Sequence, residues 1–139
     1  MVLTNVRRLL FAVLSLGMIG TGTELLLLDH VESWTQLVPI ALLAVALIAL
    51  LWVAAAAAPA ATSLFQLVMA LFVAAGLLGL VLHYRGAEAF QREVDPTLKG
   101  RALFWKTVRA KAPPALAPAS MIGLGLVGFA YTQTVRREE

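Results

Sequence analysis

The apolar residues of this 139-residue chain are gathered into four blocks, about 7 to 29, 36 to 57, 63 to 84 and 114 to 134. Each is close to the ~20 residues that cross ~30 Å of hydrocarbon at a helical rise of 1.5 Å per residue, so each reads as a transmembrane helix. Most of the chain then lies in lipid, which leaves no room for a separate soluble domain. The expected fold is all-α: a single-domain four-transmembrane-helix bundle, with one longer extramembrane loop, residues 85–113, between helices 3 and 4. Composition agrees, with 60% hydrophobic residues, 14% charged and a mean hydropathy of +0.86, where a soluble domain carries roughly a quarter charged residues. The absence of cysteine excludes disulfides, thiolate metal sites, thiol nucleophiles and CxxC redox chemistry.

Arg7 and Arg8 followed by LLFAVLSLGMIG resemble the start of a signal peptide. The apolar run continues, however, and no A-x-A-like cleavage site follows it, so the first block is expected to be retained as a span. Between the second and third blocks, AAAAAPAATS is expected to end one helix at Pro59 and to offer Thr62 or Ser63 as the N-cap of the next, making these spans antiparallel neighbours. Small residues recur at helical spacing in Gly17 with Gly20, Ala75 with Gly79, and Ala119 with Gly123. Such residues let helices approach closely in lipid. The GLGLVG run, Gly123 to Gly128, matches G-x-G-x-x-G, but it follows no strand and lies inside an apolar span, so packing is the better reading.

An even number of spans puts both termini on one face. That face carries Arg7, Arg8, Arg136, Arg137, Glu138 and Glu139, whereas the opposite face carries His30, His83, five acids and seven bases from Arg85 to Lys111. Counting bases alone places the 85–113 loop inside. Arg7 and Arg8 beside the first span argue the reverse, and the base-free 29–36 loop tips the expectation towards cytoplasmic termini. In the long loop, RGAEAFQREVDP reads as an extension of the third helix with Glu88 and Arg92 paired at i, i+4, stopped by Asp95-Pro96. The following TLKGRALFWKTVRAKAPP gathers its bases on no single helical face. Phe104 and Trp105 are expected to anchor at headgroup level while the bases contact phosphates. The aromatics have no interleaved basic platform, so no nucleic-acid partner is expected.

The stretch GTELLLLDHVESWTQLVP holds the most informative residue, Glu24, more than a turn inside the first span. A carboxylate there costs on the order of 2.5 kcal/mol at mid-membrane, less near the interface, and normally faces a protein interior or a watery cavity. Gln36, His83 and Ser120 lie at comparable depth on the other spans, which suggests a binding pocket of Glu24, Gln36, His83 and Ser120. A second reading makes Glu24, His30, Glu32 and His83 ligands of a divalent metal ion, since imidazole and carboxylate suit zinc, manganese or iron, or makes them proton acceptors. The spacing lacks H-E-x-x-H and the Glu-x-x-His pairs of di-iron bundles. The plainer alternative has Glu24 protonated or hydrogen-bonded to Thr21, Thr23 or a neighbouring helix, with Asp29, His30 and Glu32 as a solvated helix end. Ser120 or Ser33 can be paired with His83 on paper, but nothing local marks a nucleophile, so the expectation leans against an enzyme. Small multidrug exporters share four short helices and one embedded glutamate. Theirs lies mid-helix among aromatics, unlike Glu24.

The runs GTELLLLDHVESWTQLVPIALL and PPALAPASMIGLGLVGFAYT resemble a small uncharacterised family of four-helix bacterial integral membrane proteins. The resemblance covers most of the chain and rests on Glu24, His30, Glu32, Gln36, Pro39, His83 and the Pro114 to Pro118 stretch. It implies a bacterial inner-membrane location and supplies no activity. Two expectations remain. One is a non-enzymatic membrane protein that forms a homo-oligomer or serves as a subunit of a membrane assembly. The other is an oligomeric transporter or channel for an ion or small solute, lined by Glu24 and the histidines.

Overall fold

The computed structural model describes residues 2–29, 34–56, 58–110 and 116–136, all of them in five helices and their connections. In chain order these are α1 (Val2–Leu27), α2 (Trp34–Ala56), α3 (Pro59–Val94), α4 (Gly100–Val108) and α5 (Leu116–Arg136). Three helices are long and apolar enough to cross a membrane, over Leu3–Leu27, Gln36–Ala56 and Pro59–Val94. α5 has 21 residues, but its composition is less apolar, with Thr132, Gln133 and Thr134 crowding its last turns.

The long helices close a ring in which α1 meets α2, α2 meets α3, α3 meets α5 and α5 returns to α1. Among the described residues the diagonal pairs, α1 with α3 and α2 with α5, make no close approach. The centre is filled by Leu14 and Met18 of α1, Ala46 and Leu50 of α2, Phe65, Met69 and Phe72 of α3, and Met121 and Tyr131 of α5, all nearly inaccessible. The most extensive seam joins α3 to α5. A Cβ added at Gly125 would stand 2.8 Å from the Met69 carbonyl oxygen, and one at Gly76 2.6 Å from that of Pro118. These glycines therefore set how closely the backbones approach. The small-residue pattern is thus met on α5 by Gly125 and Gly128 of the GLGLVG run, whereas Gly123 faces open space and Ala119 is exposed.

Two features differ from the sequence reading and one agrees with it. Pro59 starts α3 instead of ending α2, because at the first helical position its missing N–H removes no bond and its fixed φ suits the helix. Thr62 is therefore inside the first turns, its hydroxyl donating back to the Ala58 carbonyl at 3.3 Å. The third helix does run on past 84 to Val94, with Arg92 Nη2 2.7 Å from Glu88 Oε1. Beyond it the expected loop contains a further helix, α4. Leu103 and Thr107, one turn apart, are buried, as are Ala87 and Gln91, one turn apart on α3, the single helix that α4 touches among the described residues. Packing against α3 thus makes a helix of a segment whose charges show no amphipathic pattern.

Candidate functional site

Chain direction around the ring brings the end of α1, the start of α2, the later part of α3 and the start of α5 to one end of the bundle. The candidates Glu24, Gln36, His83 and Ser120 all lie towards that end. They do not converge equally. The buried stripe of α1 is Leu14, Met18, Thr21 and Leu25, and Glu24 falls about 90° round the helix from it at 100° per residue. Glu24 is accordingly exposed on the outer flank of the bundle. No hydrogen bond or ion pair joins its carboxylate to a described residue, since Thr23 donates to the Ile19 carbonyl at 2.8 Å instead. One turn earlier, Gly20 opens onto empty space. His83 sits on α3, diagonal to α1, so the two are not neighbours. Gln36 and His83 are half-buried, Ser120 is exposed, and each of the three has an interaction partner.

Of the metal-ligand set, His30 and Glu32 lie outside the described residues, as does Ser33. Among the described residues no three His, Asp or Glu side chains come together as a metal-binding group. Asp29 has a backbone role. Its φ of 50° is the left-handed conformation that ends a helix, a conformation Asp tolerates better than most residues. Its N–H donates to the Leu26 carbonyl at 3.2 Å, so α1 stops there and the polar run begins outside the helix.

Two groups of side chains escaped the sequence reading. At the termini end, Tyr131 is fully enclosed, its ring 6.1 Å edge-on from Phe65 and 6.4 Å from Phe11. Beside it Gln66 Nε2 donates to Thr132 Oγ1 at 3.0 Å, and that hydroxyl donates to the Phe129 carbonyl at 2.9 Å. The run of Thr132, Gln133 and Thr134 at the end of an apolar block was the signal available for this clamp. Near it a shallow groove of about 280 Å³ is lined by Thr4, Arg7, Arg8, Phe11, Ala54 and Tyr131.

The second group is the angle between α3 and α4. Thr97 donates to Asp95 Oδ1 from its N–H at 3.1 Å and from its hydroxyl at 2.6 Å, fixing the turn that follows α3. The Thr97 hydroxyl, then its N–H, and more weakly the Lys106 ammonium 4.0 Å away, hold the Asp95 carboxyl below its ordinary range, against a small opposing effect of desolvation. Phe104 lies 6.1 Å from Tyr84 and 5.4 Å from Trp105, and the Arg109 guanidinium sits 5.5 Å over the Trp105 ring. A groove of about 460 Å³ opens between Gln91, Ala102, Trp105, Lys106, Arg109 and Ala110. Comparison of the chain with family models, with curated proteins and with solved structures returned no match.

Proposed function

We propose that this chain is a non-enzymatic integral membrane protein of the bacterial inner membrane, with four spans and cytoplasmic termini, that self-associates through α1 or joins other subunits there. The observation that carries this is the placement of Glu24. An acid facing outward from an apolar helix, beside exposed Leu27, Leu28 and the open notch at Gly20, lacks a partner within its described chain and gains one from a neighbouring subunit. The fourth span is supported by the length of α5, ~31 Å at helical rise, and by its packing along both α3 and α1. Transport or conduction of an ion or small solute, with Glu24 and the histidines on the path, fits the packing less well. Leu50, Phe65, Met69 and Phe72 fill the ring, so such a path runs between chains.

Native mass spectrometry of the full chain in a mild neutral detergent tests the proposal. An oligomer is expected, and Glu24→Gln should lower its subunit count or stability. A wild-type monomer overturns it, as does an unchanged assembly together with loss of bound metal or of proton-coupled flux in Glu24→Gln.

A further inference from the structure

The groove between α3 and α4 is a built polar site. Gln91 is only 9% exposed, its side-chain amide makes no hydrogen bond among the described residues, and it lines the groove, through which solvent reaches it. An amide with no partner in the chain keeps both its donor and its acceptor for whatever enters the groove. Lys106 and Arg109, one turn of α4 apart, line the same groove. Arg109 is held over Trp105, which fixes its position, and Lys106 stands at the long limit of an ion pair with Asp95, so the groove keeps a net positive charge.

Two cations and an unpartnered amide around a cleft are the complement of an oxyanion with both charge and hydrogen-bonding oxygens. The aromatic cluster sets the depth at which that anion is met. Tyr84 and Phe104 form one contact beside Trp105, and such rings settle at the membrane–water boundary. Gln91 is seven residues past Tyr84, ~10 Å along α3, which places the groove on the headgroup side of that boundary. Phe90, Phe104, Trp105 and Val108 are exposed around it and suit the adjoining acyl and glycerol region.

We propose that this groove is a binding site for the phosphate of an anionic phospholipid headgroup, held by Lys106, Arg109 and the Gln91 amide, with Trp105 as its aromatic wall. The site rests on the reading of the chain as a membrane protein and is independent of whether Glu24 mediates assembly.

The full chain in mild neutral detergent is titrated with phosphatidylglycerol or phosphatidylcholine, and retained lipid is read by native mass spectrometry. Wild type should retain phosphatidylglycerol with a preference on the order of tenfold or more, from about 1 kcal/mol per base near the surface. Lys106→Gln with Arg109→Gln should bring that preference to within about twofold. Gln91→Leu, which removes the unpartnered amide at similar volume, should reduce it roughly fivefold. Arg7→Gln with Arg8→Gln, at the opposite end, should leave it unchanged. No preference in wild type, a preference surviving the Lys106 and Arg109 changes, or equal loss in the Arg7 and Arg8 variant overturns the site. Displacement of the lipid by millimolar inorganic phosphate overturns the headgroup as its source. The same spectra report subunit number, so loss of the lipid preference with intact oligomers sinks this site alone, and a monomer with the preference sinks the assembly alone.

Discussion

The two ends of the bundle solve the same problem differently. At the termini end, four helices meet around Tyr131, and the polar groups there satisfy one another through Gln66, Thr132 and the Phe129 carbonyl. At the other end, α4 rests on α3 alone among the described residues, its aromatics are exposed, and the Thr107 hydroxyl is enclosed without a partner. One end is closed by the chain itself; the other is left open among the described residues. Closure within the chain yields stability, and openness leaves surface and polar capacity for binding.

This contrast breaks most readily at Tyr131. Tyr131→Ala should destabilise the bundle by about 3 kcal/mol, because the ring is enclosed from three helices, whereas Phe104→Ala, at a side chain 46% exposed, should cost under ~1 kcal/mol. Reversible unfolding in mixed detergent micelles compares them directly, and equal losses would erase the distinction. Next in size, Gly125→Val should cost about 2 kcal/mol, since its Cβ would meet the Met69 carbonyl oxygen at 2.8 Å and backbone cannot yield as a side chain does. Gly123→Val, facing open space two residues earlier, serves as the control and should be near neutral in the same assay. Gln66→Leu should lose about 0.6 kcal/mol, the typical worth of a hydrogen bond between membrane helices.

The smallest effect concerns acid. The Asp95 carboxyl titrates lower in the folded chain than its ordinary value of 3.8. Its stabilisation of the α3–α4 turn is therefore present above that value and lost as pH falls through the folded value. Amide hydrogen exchange at Thr97 and Leu98 should accelerate over that acid window. In Asp95→Asn, which does not titrate, the acceleration should vanish.

Much of this was legible in the residues, for reasons that differ from place to place. Helix follows from block length in all four blocks and a membrane-spanning length and apolarity in the first three, and the continuation of α3 was announced by Glu88 with Arg92 and stopped by Asp95-Pro96. The α4 helix was hidden because Leu103 and Thr107 define its buried face through a neighbour rather than through charge periodicity. Pro59 was misread as a stop because the same residue that breaks a helix interior suits a helix start. Glu24 was expected more than a turn inside its helix, but α1 ends at Leu27 and leaves it in the last turn; its orientation depends on where Leu14, Met18, Thr21 and Leu25 find partners, which is a property of the whole ring. His30 and Glu32 lie outside the described residues, so the metal reading that uses them stands where the sequence left it.

The 36 residues of α3 make it a rod of ~54 Å, roughly twice the hydrocarbon depth. It is clamped at Gly76 and Gly79 against Pro118 and carries the open groove 15 residues further along. A lever of that kind converts angle into distance: a tilt of 10° about the clamp swings Gln91 by ~4 Å. For the same change of tilt the groove end of α3 therefore travels much farther than the glycine seam, and a fixed seam leaves the far end of the rod as its widest-ranging part.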